Sequence, residues 1–352
     1  MMKMRKSSFL ILSALLVFNT FLCAQDTVMV AFWNLENFFD PFVDSTRAYN
    51  DFTENGRQHW TMKRFYQKRN NLYKAILAFS EAQPIGIMGV CEVENEYVLN
   101  ALFRQTPLKR FNYSYVHFEG PDRRGIDPAL IYSKDLFQLI SSEAIPYRNP
   151  KEPYRISRDI VYAKLLGRCG DTLHCFVNHW PSKYSGELET VEARNAAARI
   201  LRHKVDSLLA ATSNENRGEP FILIMGDFND VPEAPCIQQV LEARSRAKTK
   251  DTDCLVNLFT DPGELGFPGT LKYQDTWMIF DQIIVSKSLV NNDSSTITLS
   301  DARIVCEPFL LEDDKTYKGL KLHRTYLGPK YVGGFSDHLP VMIRLQCSRR
   351  CP

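Results

Sequence analysis

The sequence predicts an α/β fold in which two facing β-sheets carry helices on their outer faces. Three observations predict it. Short apolar runs rich in Val, Ile, Phe and Tyr recur along the chain; several are separated only by a turn; and helical periodicity separates others. Strands joined by short turns pair antiparallel, whereas strands joined through a helix can pair parallel. The sheets are therefore expected to be mixed, and a doubly wound parallel fold is disfavoured.

The elements follow in order. Val28–Trp33 is the first strand, and Met62–Phe79 is a helix with Phe65, Leu72, Ile76 and Phe79 on one stripe. Ile85–Cys91 is a strand followed by a helix over Asn95–Phe103, with Glu94 and Glu96 read as a solvated acidic first turn. Asn112–Phe118, Ala129–Ser133, Asp159–Leu166 and Thr172–Val177 read as strands, the last two joined through Gly170-Asp171. Glu189–Ala211 is the longest helix, with Ala196, Ile200, Val205 and Leu208 set against Arg194, Arg199 and Arg202. Phe221–Met225, Ile283–Val285, Thr296–Val305 and Leu339–Ile343 complete the strands. No repeat, low-complexity tract or linker divides residues 25–352, which are read as one catalytic domain.

Residues 1–24 read as a signal peptide. Lys3, Arg5 and Lys6 precede the apolar stretch Phe9–Leu22, which is too short to span a bilayer comfortably, and Ala24 offers a small residue for cleavage. Export to the periplasm or the medium is expected, without stable membrane insertion. Without that leader 328 residues remain, with a net charge of −1. A near-neutral chain has no global attraction for nucleic acid, so any such binding needs a local basic patch. Eight cysteines remain, and in an exported protein Cys169–Cys175 and Cys347–Cys351 are the pairs to test for disulfides. No spacing suggests zinc, so Cys91 and Cys236 read as small buried hydrophobes.

Six apolar runs carry polar groups at one end. Four end in them: Asn34; Glu92; Asn178-His179; and Gly226-Asp227-Phe228-Asn229. Two begin with them, Asp281 before Ile283–Val285 and Asp337-His338 before Leu339–Ile343. If four strands run toward one edge and two run away from it, these groups meet there. In Asp227-Phe228-Asn229, a carboxylate and an amide two apart emerge on one side, able to orient water and to donate to an anionic oxygen. The competing reading is an Asx turn closing a strand. Adjacent Asp337 and His338 face opposite ways on a strand, so His338 needs another orienting carboxylate, and Asp281 is the candidate. Glu92, after an apolar strand, calls for either a hard divalent cation or an arginine partner.

Asn34, Glu92, Asp227 with Asn229, Asp281, and Asp337 with His338 stand in the order of the endonuclease/exonuclease/phosphatase superfamily, and the resemblance covers essentially the whole chain after the leader. It implies a DNase I-like four-layered α/β sandwich, two mixed, mainly antiparallel sheets flanked by helices. It also implies phosphoester hydrolysis with a divalent cation, Mg²⁺ above Mn²⁺ or Ca²⁺. By that resemblance Glu92, Asn34 and Asp337 are metal or water ligands, and Asp227 orients or deprotonates the attacking water. Asn229 holds the phosphate, and the His338–Asp281 dyad faces the phosphoryl group. His179 resembles the second histidine of secreted nuclease-like members, with Asp127 in the place of its carboxylate partner.

Substrate contacts are expected from Arg124 and Lys183, with Arg123, Arg194 and Trp33, Trp180 and Trp277 nearby, a grouping that suits DNA or RNA; the competing reading, preferred for most of them, puts the tryptophans in the core and the arginines on a solvated helix face. The Glu307–Phe335 stretch reads as a substrate loop in which Arg324, Thr325, Tyr326 and Lys330 meet the phosphoester. A secreted nuclease is the first reading. A phosphatase or phosphodiesterase of small phosphoesters or lipid head groups is the second. A non-catalytic binding module would be expected to have lost some of these residues, and all are present.

Overall fold

The computed structural model describes residues 26–45, 49–168, 170–214, 220–249, 254–290 and 297–347. The proposed leader, Cys169 and Cys351 lie outside them. In chain order the strands are β1 (Asp26–Phe38), β2 (Ile85–Val93), β3 (Tyr113–His117), β4 (Asp127–Ser133), β5 (Phe137–Ile145), β6 (Ile160–Gly167), β7 (Thr172–His179) and β8 (Phe221–Asp227). There follow β9 (Ala243–Ser245), β10 (Leu255–Asn257), β11 (Leu271–Tyr273), β12 (Thr276–Met278), β13 (Asp281–Ser286) and β14 (Ile297–Ile304). Last come β15 (Leu311–Asp313), β16 (Leu320–Leu322), β17 (Tyr326–Leu327), β18 (Lys330–Tyr331) and β19 (Val341–Cys347). The helices are α1 (Met62–Phe79), α2 (Glu96–Phe103), α3 (Glu187–Asn214) and the single turn α4 (Pro262–Leu265).

Two mixed sheets result, a six-stranded one ordered β14-β19-β1-β2-β4-β3 and a seven-stranded one ordered β5-β6-β7-β8-β13-β10-β9. Period-two alternation assigns the faces. Cys175, Val177, Leu223 and Met225 join the core shared with the first sheet. Their neighbours Phe176, Ile222 and Ile224 turn outward onto Leu201 and Val205 of α3. Gly89 of β2 lets the sheets close, because a Cβ there would meet Met225 Sδ of β8 at 2.6 Å. On the other side the stripe Phe65, Leu72, Ile76 and Phe79 of α1 is buried, and Phe79 lies edge-on to Trp33. Helix α1 starts where the Thr61 side chain accepts from the Arg64 amide, and α2 where Asn95 accepts from Val98.

Strand directions produce the convergence. β1 and β2 are parallel, as are β7 and β8, while β19 runs antiparallel to β1 and β13 to β8. Four strands therefore end, and two begin, at one edge of the sandwich.

Several expectations are corrected. Cys175 carries a free, fully buried thiol, because it faces inward between two packed sheets, so it is not bridged to Cys169. Glu94 is buried rather than solvated and accepts from the Asp40 amide at 2.7 Å. Asp337 and His338 lie in a bend ahead of β19, not on it. The Glu307–Phe335 stretch is not an open loop but two hairpins, β15–β16 and β17–β18, with Thr325 and Tyr326 buried.

Candidate active site

Asp227 is the pivot. Gly226 before it packs so closely on β7 that a Cβ would stand 2.5 Å from the Asn178 carbonyl oxygen. Register sets Asp227 opposite His179 on β7 and opposite Asp281 on β13. Its carboxylate accepts from Asn34 Nδ2 at 3.1 Å and from the Asn229 amide at 2.9 Å. One of its oxygens also lies 3.7 Å from His179 Nε2 and 3.8 Å from His338 Nε2. Burial pushes this carboxyl up to about 7; nearby Asp281 adds to the rise, and His338 and the two hydrogen bonds oppose it.

The two imidazoles are driven apart. His338 Nδ1 lies 2.6 Å from Asp281 Oδ2. Burial works against the imidazolium, but Asp281 and Asp227 outweigh it and hold His338 well above the usual histidine range. Burial, with Arg158, Arg124 and His338 adding, pushes His179 well below that range. A charged and a neutral imidazole therefore flank one carboxyl, the separation of proton affinities that acid–base chemistry uses. The bend carrying His338 is pinned to β1, where Ser336 Oγ donates to the Asn34 carbonyl at 2.6 Å and Trp33 Nε1 to the His338 carbonyl at 2.9 Å.

No hydrogen bond joins Asp127 to His179. Its carboxylate, on β4, lies 3.9 Å from His117 Nε2 of the adjacent β3, while the buried His179 Nδ1 has no hydrogen-bond partner. Asn229 spends its side-chain amide on the Trp180 carbonyl at 2.9 Å. Cys91, read from the sequence as a plain buried residue, puts its sulfur within 4.8 Å of ligand atoms of His179 and Asp227. Burial, then Asp227 and Glu92, push its thiol up, so it stays protonated.

The second side of the site is acidic and carries built-in cations. Glu92 places one oxygen on the Asn37 amide at 2.8 Å and the other 3.8 Å from His179 Nε2. Asp337 accepts from Arg324 Nη2 at 2.7 Å. Glu36, which sequence reasoning missed, is buried and accepts from the Thr325 amide at 2.6 Å and from Arg324 Nε at 3.3 Å. Lys68, also missed, is fully buried 3.8 Å from Glu36 and donates to Thr325 Oγ1 and the Phe335 carbonyl. Its place three residues after Phe65 and four before Leu72, on the apolar stripe, was the available signal. Asn34 Oδ1 accepts from the Glu36 amide at 2.9 Å. Carboxylate oxygens from Glu92, Asp337 and Glu36 are the donor chemistry that suits Mg²⁺, Mn²⁺ or Ca²⁺; among the described residues the ligand atoms that converge within 4.8 Å are instead those of Cys91, His179 and Asp227 and of Asp227, Asp281 and His338.

Backbone strain concentrates here. Glu36, Asn37, Glu92 and Asn229 all hold left-handed φ, between 48° and 60°. Register shifts interrupt β1–β2 after Asn34 and β2–β4 after Val90. Each such residue costs on the order of 1 kcal/mol, and bulges of this kind re-aim side chains.

The expected substrate residues divide. Arg124 is partly exposed beside Asp122. Lys183 is shared between Asp230 at 2.7 Å and Glu187 at 3.0 Å. Arg194 is buried against Asp230. Trp33 and Trp180 are core residues and cannot stack on a base, while Trp277 packs edge-on to Phe267. Arg158, missed because its partners are backbone carbonyls, donates to those of His179 and Trp180 and to Asp122.

A model of the Endonuclease/Exonuclease/phosphatase family matches residues 29–347. No curated protein matches the chain. Among solved structures, an endonuclease/exonuclease/phosphatase family protein from Bacteroides thetaiotaomicron superposes with a TM-score of 0.57 at 14% identity, covering 92% of this chain and 98% of that one. A mannosyl-6-phosphatase from the same organism gives 0.55 at 15%, covering 90% and 99%. The catalytic domain of human Nocturnin gives 0.53 at 16%, covering 91% and 97%. At these identities the likeness is one of fold.

Proposed function

The chain belongs to the endonuclease/exonuclease/phosphatase family, and we propose that it is an exported, divalent-metal-dependent hydrolase of phosphodiester bonds, with nucleic acid as the first substrate class. The observation that carries this reading is the Asp227 carboxyl standing 3.7 Å and 3.8 Å from two imidazoles, His179 pushed down by burial and His338 held up by Asp281 and Asp227. Asp227, fixed by Asn34 and the Asn229 amide, accepts a proton from the attacking water. His338, held in one tautomer by Asp281, presents Nε2–H to the phosphoryl oxygens as charge builds on them. Glu92 and Asp337 are the residues that would hold the metal, which supplies electrostatic stabilisation of the same oxygens. His179 stays neutral and braces Glu92 against Asp227.

A phosphatase acting on a small phosphoester is the second reading. It is favoured by the burial of Trp33 and Trp180, which removes the base-stacking platform that the sequence suggested. Incubation with Mg²⁺ and plasmid DNA, RNA, bis-p-nitrophenyl phosphate and sugar phosphates separates the two. Diester cleavage supports the first reading, release of phosphate from monoesters alone supports the second, and no cleavage of any phosphoester contradicts both. Export by residues 1–24, to the periplasm or the medium, is part of the proposal and is tested by fractionating cells that express the full chain.

A further inference from the structure

We infer that Arg324 is a built-in counter-cation of the metal side, competing with the divalent ion for Asp337 and so weakening metal binding. The inference rests on the metal dependence in the proposed function, but not on the identity of the substrate.

Glu36 and Asp337 at this side are neutralised by the chain itself, and Glu92 lies within electrostatic reach of the Arg324 guanidinium. That guanidinium bridges Glu36 and Asp337, Nε lying 3.3 Å from Glu36 Oε1 and Nη2 2.7 Å from Asp337 Oδ2. Lys68 adds a second fixed charge 3.8 Å from Glu36. A divalent ion therefore meets one net negative charge rather than three. To reach Asp337 Oδ2 it must part that oxygen from a charge-assisted hydrogen bond, or else bind beside a guanidinium.

The two cations are not equivalent. Lys68 is fully buried and tied to Thr325 and Phe335, so it cannot leave without breaking the packing of α1. The Arg324 side chain is 38% exposed. An anchoring role for its guanidinium is redundant, because the segment around it is already held by other bonds. The Thr325 amide donates to Glu36, the Val332 amide to the Thr325 carbonyl, and Asn71 Nδ2 to the carbonyls of Gly333 and Gly334. Taking away the guanidinium should therefore leave the segment in place and change mainly the charge that a metal meets.

The test is calorimetric titration of Mg²⁺ and of Mn²⁺ into the full chain, wild type and Arg324→Gln, with thermal melts in chelator and in excess metal. Arg324→Gln is expected to bind both ions about tenfold or more tightly than wild type. It should also melt lower than wild type in chelator, with a larger rise on adding Mg²⁺. Arg324→Lys keeps the charge but loses the bridge, and a smaller gain is expected. Equal or weaker metal binding by folded Arg324→Gln overturns the inference, as does binding by neither protein. Should the glutamine variant fail to fold, unchanged affinity in Arg324→Lys does the same. Tighter binding with no hydrolysis of any phosphoester would uphold this inference while contradicting the proposed function; hydrolysis with unchanged metal affinity would do the reverse.

Discussion

Asp227, Asp281 and His338 meet where neighbouring strands end or begin, whereas Glu36 and Asp337 meet at Arg324, with Glu92 within electrostatic reach of its guanidinium. In the first group ladder register places Asp227 and Asp281, and hydrogen bonds from Ser336 and Trp33 pin the bend that brings His338 to them. The second is charge-compensated, with Lys68 buried beside Glu36 and Arg324 bridging Glu36 and Asp337. The difference teaches where robustness lies. A strand-end site keeps its geometry when one side chain is exchanged, because the backbone sets it. On the charge-compensated side the buried pair carries stability, since removing Lys68 leaves Glu36 buried and uncompensated.

The contrast can be broken in graded ways. Asp227→Asn should lower kcat by about 10³-fold while the melting curve stays near wild type, as expected for loss of a positioned base on an intact scaffold; near-wild-type turnover would remove Asp227 from that role. Lys68→Met should show the opposite pattern. It strands Glu36, whose carboxyl burial already pushes up, and should cost about 3 kcal/mol in denaturant unfolding. A loss well under 1 kcal/mol would mean that the charge pair does not stabilise that side. Asp281→Asn should reduce kcat about 10²-fold with little effect on KM, since it acts through His338. Lys330→Ala should change activity by less than about twofold, because that side chain sits exposed on the β17–β18 hairpin. A larger loss would restore the substrate role expected of it.

The same contrast explains what could be read in the sequence. Apolar runs with polar ends gave away β1, β2, β7, β8, β13 and β19, and the count of strands entering and leaving one edge brought Asn34, His179, Asp227, Asp281 and His338 together. Helix α1 was legible to the residue from its stripe. Strand β5 was not, because its mostly exposed, polar residues give no apolar run. Glu36, Lys68 and Arg324 interact across some 250 to 290 positions of sequence, through a bulge and a pair of short hairpins. No local pattern reports such contacts. The approach of Asp127 to His117 on β3 was not legible for a related reason: a residue's order in the chain does not say which neighbouring strand its side chain meets. Trp33 and Trp180 follow the core reading, since their size favours burial as much as ligand stacking.

The pH dependence of kcat/KM on a phosphodiester with saturating Mg²⁺, for wild type and Asp281→Asn, tests the Asp227–His338 assignment most directly. Asp227 must be ionised to accept a proton, so the rate should rise with pH through about 7. His338 must be protonated to donate, so the rate should fall at higher pH, above the usual histidine range. Removing the Asp281 charge lowers the proton affinity of His338, so in the variant the alkaline limb should move to lower pH while the acid limb keeps its ionised-base form. An alkaline limb at the same pH in both proteins, or a profile with no limb near 7, would contradict the account.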